Sequence, residues 1–272
     1  MPPPGLDLHG DGESSVAMGD KMTHPTGIDN KIMPLRNVAA LDQMIARLQA
    51  QRNTIDKMGV LFGPTGFGKT YASCFANDKR DAIYVAAHKH LRAKDLFTTL
   101  IGELRSGPVK GTIADRFREA ADLLGEADRP LIIDEADYAV ANRLVEEIRD
   151  LHDHSLVPVI FVGMELLPQK LKEWELIDGR IQIWQPAEPA NLSDAQILSR
   201  VFAPDIEIDD ALLDHITRRN DGKVRRICSD LEHVLAESQV RGVTTMSLDQ
   251  WGDAPFLRAE APAPRKGMFY EL

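Results

Sequence analysis

Residues Gly63-Pro64-Thr65-Gly66-Phe67-Gly68-Lys69-Thr70 spell G-x-x-x-x-G-K-T directly behind a short apolar run, Met58-Gly59-Val60-Leu61-Phe62, that reads as a buried strand. This pattern needs a strand that turns through a glycine-rich loop into a helix, so it narrows the fold at once. The glycines let backbone N–H groups converge on phosphate oxygens where a Cβ would collide, and the following helix adds the positive end of its dipole. Lys69 supplies a point charge between the β- and γ-phosphates, and the Thr70 hydroxyl is the expected ligand for Mg²⁺. With Tyr71 next in the chain, these residues form the candidate ATP-binding set. Phe67 is bulky for a loop tip and is expected to be exposed there.

The second half of a phosphate-transfer site is Leu131-Ile132-Ile133-Asp134-Glu135-Ala136-Asp137. A buried strand that ends in a carboxylate places Asp134 near the metal, held through water. Glu135, next along, turns toward the place of an attacking water and is the natural general base. Asp-Glu-Ala-Asp also spells a helicase motif, but one such domain lacks the second lobe that a helicase motor requires. The interval between Lys69 and Asp134 leaves room for an intervening strand and its helices.

The rest of the chain supplies them. Val38, Leu41, Met44, Ile45 and Leu48 recur at helical spacing ahead of the first strand. Further strands are predicted at 82–86, 131–133, 157–162 and 181–184, and helices at 94–104, 112–124 and 139–152. Strands that alternate with helices in this way imply βαβ units and an α/β fold with a five-stranded parallel sheet. Each strand is apolar on both faces, as a sheet covered on both sides requires. After Pro186 the strands stop, and 193–202, 209–219 and 223–240 read as three helices, a small all-α lid subdomain. The predicted organisation is a flexible arm over 1–33, a nucleotide-binding core over 34–186, the lid over 187–245 and an extended or disordered tail over 246–272. Prolines and glycines dominate both ends, which bury too little apolar surface to offset their ordering entropy.

With these motifs placed, the chain resembles the AAA+ ATPases over about residues 37 to 240. Within them it looks most like the transposition-helper branch, the group of the phage Mu B protein (MuB), TnsC and IstB. The compact core, Ile132-Ile133-Asp134-Glu135-Ala136-Asp137 and Gly222-Lys223-Val224-Arg225-Arg226 carry that likeness. The resemblance implies an ATPase that takes ATP and Mg²⁺ and self-assembles into a ring, spiral or filament on double-stranded DNA without sequence preference. There it would recruit a transposase, in the cytoplasm of a bacterial or phage-infected cell. It also implies that Arg225 is the lid arginine that senses the γ-phosphate. Arg180 would be the arginine finger offered to a neighbouring subunit, so that hydrolysis depends on assembly. One position departs from the pattern. At the end of the fourth strand Val162-Gly163-Met164-Glu165 offers no small polar sensor, which points to slow turnover. A helicase loader or secretion-type ATPase acting on a protein, or a nucleotide-gated scaffold that barely hydrolyses ATP, are the alternative readings.

Composition bears on partners. The net charge is −10 over 272 residues, which argues against global attraction to nucleic acid. Between His88 and Arg118, however, seven basic residues face three acidic ones. Lys89, Arg92 and Lys94, after the second strand, are the candidate DNA contacts, giving affinity without base readout. The pairs His88/His90 and His152/His154 lack the further ligands of a tetrahedral metal set. Two cysteines, Cys74 and Cys228, are too few for a disulfide framework and read as buried small hydrophobes in a reducing compartment. The first residues carry no secretory signal pattern, and no apolar run is long enough to span a membrane.

Overall fold

The computed structural model describes residues 35–256; the predicted arm over 1–33 and the tail from 257 lie outside them. The core begins with α1 (Arg36–Gln49), β1 (Met58–Phe62), α2 (Lys69–Arg80), β2 (Ile83–Ala86), α3 (Ala93–Leu104) and α4 (Ile113–Ala127). It continues through β3 (Leu131–Asp134), α5 (Ala136–Ala141), α6 (Val145–Ser155), β4 (Val159–Gly163), α7 (Leu167–Lys172), α8 (Glu175–Asp178) and β5 (Ile181–Pro186). The lid holds α9 (Leu192–Phe202), β6 (Glu207–Ile208), α10 (Asp210–Arg219), α11 (Val224–Arg241), β7 (Thr245–Met246) and α12 (Leu248–Trp251).

The core strands form one five-stranded sheet in the order β2-β3-β4-β1-β5, and every pairing is parallel. All strands therefore end at the same edge, where the loops after β1, β2, β3 and β4 gather. Alternation along β1 divides the core into two layers. Met58 and Val60 face α3, α4 and α6, while Leu61 faces α1, α2 and the lid. Gly59 belongs to the second face, where a Cβ would stand 2.5 Å from the Met44 sulfur; the missing side chain lets α1 lie against the sheet.

Several elements differ from the sequence reading. The helix expected over 139–152 is two, α5 and α6, broken at Asn142, Arg143 and Leu144. Arg143 takes a left-handed backbone with φ of 60°, and the Asn142 amide turns away to donate to the carbonyls of His88 (3.0 Å) and Leu91 (3.1 Å). The fourth strand starts at Val159 rather than 157, because Pro158 has no N–H to give the ladder; its carbonyl accepts from Leu131 instead. β1, β3 and β4 are covered on both faces, whereas the edge strand β5 leaves Gln182 exposed and Trp184 half-exposed. The lid is helical apart from the two-residue parallel pair β6–β7. Its first helix is capped by Asn191 with Asp194 in a reciprocal capping box, so it starts before Ser193. Residues 246–256, read as the start of an extended tail, instead pack on the lid. Trp251 is 3% exposed, and the Phe256 ring lies 4.8 Å from it and 4.2 Å from the Arg219 guanidinium. Only burial of these aromatics distinguishes this stretch from its polar, proline-containing surroundings.

Candidate active site

The phosphate loop occupies the turn between β1 and α2. Gly66 and Gly68 have φ of +93° and +79°, the region in which a side chain is strained, so the glycine pattern is a conformational requirement here. Lys69 opens α2, and its Nζ donates to the carbonyls of Gly63 (2.7 Å) and Pro64 (2.9 Å), folding over the loop. Burial pushes its pKa below the ordinary lysine value, against the pull of Asp134, Glu135 and Asp137. Among the described residues Lys69 makes no ion pair. Phe67 is not exposed at the tip as expected. It turns inward, half-buried against the core, and its carbonyl accepts from the Asn37 amide at 2.8 Å.

Asp134 ends β3 almost fully buried. The Tyr84 hydroxyl of β2 donates to its Oδ2 at 3.0 Å, and the Glu135 N–H donates to its Oδ1 at 2.9 Å. The same burial and the adjoining carboxylate push the Tyr84 phenol well above its usual range. Glu135 caps α5 in a left-handed conformation, φ 52° and ψ 39°, a strained backbone for a residue with a Cβ. That turn sends its carboxylate into the cavity. Burial and then the Asp134 charge raise its pKa, while Lys69 and Arg225 draw it back.

A cavity of about 380 Å³ joins these groups. The phosphate loop, with Thr65, Gly66, Gly68, Lys69, Thr70 and Tyr71, forms one wall; Glu135 and Met164 form another; Phe202, Val224, Arg225 and Cys228 of the lid close it. The structure thus brings Arg225 to the site from 156 residues away in the chain. The Cys228 thiol, pushed up to about 12 by burial, is an inert apolar lining group, and burial raises the Tyr71 phenol too. An ammonium over an open glycine cradle, a hydroxyl at Thr70 and a buried carboxylate at Asp134 fit a magnesium-bound nucleotide.

At the end of β4 the missing polar sensor has a physical reason. A Cβ on Gly163 would meet the Asp137 carboxylate at 2.6 Å, so the polar group at this place comes from α5. Asp137 accepts from the Met164 N–H at 2.7 Å and from Lys170 at 2.6 Å, which fixes the loop that lines the cavity. Tyr84, Asp137 and Asn37 were missed by the sequence reading. Asn37 carries the one available signal, a polar residue on the apolar stripe one turn before Leu41.

Arg180 lies elsewhere. It precedes Ile181, which pairs with Met58 at the start of β1, so it stands at the sheet end opposite the phosphate loop of its own chain. Its guanidinium holds Asp153 by two bonds, Nε to Oδ1 at 2.8 Å and Nη2 to Oδ2 at 2.7 Å, and a third nitrogen donates to the Leu176 carbonyl. Asp56, His152 and Asp153 come together beside it. There the His152 ring is already spoken for, with Nδ1 on the Val157 carbonyl at 2.8 Å and Nε2 accepting from Lys57 N–H. Lys89, Arg92 and Lys94 are exposed beyond the end of β2, at the same sheet edge as the phosphate loop. Among the described residues these three and Lys110 make no ion pair. Arg105 and Arg118 in the same basic stretch are paired with Glu119 and Asp115, and Arg116 donates to Thr98 at 2.6 Å.

A parallel sheet of this order, with the phosphate loop after its β1 and a helical lid closing the cavity, defines the AAA+ P-loop fold. Residues 52–171 match the family described as AAA domain. Among solved structures the chain is similar to the Aeropyrum pernix ORC1 protein in complex with DNA: TM-score 0.57, 13% identity, covering 80% of this chain and 64% of that one. It is also similar to the Aeropyrum pernix ORC2 protein in ADPNP–ADP complexes, with TM-score 0.59, 15% identity and coverage of 82% and 68%. The Thermotoga maritima RuvB Holliday junction branch migration motor matches with TM-score 0.53, 20% identity and coverage of 79% and 66%. The chain therefore spans about two thirds of the length of these proteins, and the likeness is one of fold. No curated protein matches the sequence. Among the described residues no helix is long and apolar enough to cross a membrane.

Proposed function

We propose that this protein is an ATPase that assembles on double-stranded DNA in its ATP-bound state and recruits a transposase to it. The observation that carries the ATPase reading is the convergence of Lys69, Thr70, Glu135 and Arg225 on one cavity, with Asp134 buried behind it. Lys69 leaves the carbonyls of Gly63 and Pro64 for the phosphates, and the loop N–H groups and α2 hold their charge. Thr70 and Asp134 are the residues that would hold Mg²⁺, which would supply positive charge against the phosphate oxygens. Glu135 orients the attacking water and accepts its proton. Arg225 reaches the terminal phosphate from the lid.

DNA binding rests on the unpaired cations Lys89, Arg92 and Lys94, displayed at the sheet edge that carries the nucleotide. Assembly multiplies contacts that are weak one at a time, so a protein of net charge −10 still grips a polyanion. The ORC1 structure in complex with DNA is consistent with such a partner. Transposase recruitment rests on sequence resemblance alone.

The test is DNA binding by the full chain with and without ATP and Mg²⁺, on several duplex sequences over a range of salt. Binding that requires ATP, ignores sequence and weakens steeply with salt supports the reading. Lys69→Ala abolishes it, and Glu135→Gln retains it and stalls turnover. Replacing Lys89, Arg92 and Lys94 by Ala lowers the salt slope by about 0.9 for each phosphate these side chains neutralise. ATP-loaded protein with no affinity for DNA at low salt overturns it; a partner captured equally well without DNA favours the helicase-loader or secretion-type alternative.

A further inference from the structure

Asn37, in the first turn of α1, is 6% exposed, and its side-chain amide is fully engaged with two segments far from it in the chain. Nδ2 donates to the Phe67 carbonyl at 2.8 Å and to the Glu188 carbonyl at 2.8 Å, while Oδ1 accepts from the Glu188 N–H at 2.9 Å. Phe67 is in the phosphate loop. Glu188 is in the connection from β5 to α9, which is the hinge between core and lid.

We infer that Asn37 is a positioning residue that ties the conformation of the phosphate loop to that of the core–lid hinge, so that the lid feels the seating of a nucleotide. The inference rests on the nucleotide reading above and adds a coupling element to it. The Phe67 carbonyl and the Gly68 N–H belong to one planar trans peptide and point in opposite directions. A bond from Asn37 to that carbonyl therefore aims the Gly68 N–H away from α1, to the side where phosphate is cradled. Phe67 is flanked by Gly66 and Gly68, at φ of +93° and +79°, and since glycine restrains the backbone least, a bond from outside the loop helps to fix this peptide. On the hinge side, Asn37 pairs with both backbone groups of Glu188 as a strand neighbour would.

The lid closes the circuit. The Ala190 N–H donates to the Gly222 carbonyl at 2.9 Å, and Val224, two residues on, lies 3.3 Å from where a Gly68 Cβ would be. The phosphate loop thus touches the lid through Val224 and reaches the hinge through Asn37. Rotation of the Phe67 peptide as phosphates arrive pulls on Glu188. The chemistry demands an amide here: an aspartate has no proton for either carbonyl, an alanine removes the partner of three part-buried backbone groups, and a glutamine is one methylene too long.

The experiment compares the full chain with Asn37→Ala, Asn37→Asp and, as a neighbour control, Arg36→Ala. The control removes only the exposed Arg36–Glu188 ion pair at the same hinge. Affinity for Mg²⁺ with the analogue ADPNP is measured by calorimetry, and backbone hydrogen exchange of residues 63–70 and 187–191 is followed with and without saturating ADPNP. In the parent and in Arg36→Ala, ADPNP slows exchange in both segments. In Asn37→Ala and Asn37→Asp, affinity falls about tenfold, as expected when the hold on the Phe67 carbonyl is lost. At saturation the loop is protected in these variants, but the hinge gains no protection. Parent-like affinity with hinge protection intact in either variant overturns the inference. Asn37→Asp keeps the side-chain volume and decides the matter should Asn37→Ala fail to fold. A parent chain that takes up no ADPNP refutes the nucleotide reading instead, a separate result.

Discussion

Tyr84 is half-buried on β2 with its hydroxyl 3.0 Å from Asp134 Oδ2, so one of the two carboxylate oxygens is held in place before any metal arrives. Tyr84→Phe removes that donor and keeps the ring. Turnover is expected to fall about tenfold in kcat with KM for ATP unchanged, read by steady-state hydrolysis over a range of Mg²⁺. Lys57 is a residue of another kind. It is 6% exposed, its Nζ bonds to Asn53 at 2.7 Å, and it lines a polar cavity of about 480 Å³ at which α1, α4 and α6 all end. The carbonyl ends of three helices supply the negative potential that a buried ammonium needs, and no ligand has to be invoked. The phosphate loop was legible because its residues are contiguous. Asn37, Tyr84 and Asp137 act across sequence separations of 151, 50 and 27, and such a pairing exists only once the sheet order is known.

Helices α1 and α2 are clamped by Asp42, which takes Arg80 Nε at 2.7 Å and Lys79 Nζ at 3.0 Å in the last turn of α2. The Arg80 hydrogen bond, followed by Lys79, holds the Asp42 carboxyl below its usual value in spite of some burial. The folded state thus binds this proton less tightly than the unfolded chain does. The stabilisation is complete above the ordinary aspartate range and disappears as pH falls through and below it. Asp42→Asn is expected to cost about 0.5 to 1 kcal/mol at pH 7, a cost that shrinks as pH falls through and below the ordinary aspartate range, measured by urea unfolding over that span. Elements with a clear period were legible: β1 and the stripe of α1 lie where apolar spacing puts them. The break between α5 and α6 was not, because residues 139–152 keep helical spacing across it. What ends α5 is the Asn142 amide finding the carbonyls of His88 and Leu91, and asparagine is common enough inside helices to give no warning. The stretch 246–256 was misread for the same reason, since its order comes from Trp251 meeting Phe256 and from Phe256 lying against Arg219 of α10.

At the scale of the whole molecule, the proposed base and the arginine that the resemblance implies as a finger stand at opposite ends of one sheet. Glu135 opens into the cavity at the C-terminal edge, and Arg180 sits before β5 at the other. A single copy therefore cannot bring its own Arg180 to its own phosphate loop, and an arginine-finger role would require a neighbour. Arg180→Ala is expected to leave ADPNP affinity unchanged and to remove the rise in turnover per molecule with protein concentration. Turnover that rises as before ends that assignment. The α/β class and the lid were legible at this scale because alternation of strand and helix is a property of order along the chain. Which surfaces meet in an assembly was not, because no single copy contains the contact.

The two bonds from Arg180 to Asp153 set a threshold for that neighbour. A guanidinium held at two of its nitrogens by a partly exposed carboxylate must give up that modest pairing before it can turn to another anion, such as a triphosphate on an adjoining copy. On the arginine-finger reading, scattered molecules would hold ATP without spending it, and crowding along a shared thread would release the catch. Asp153→Asn loosens it, so the concentration at half-maximal turnover falls.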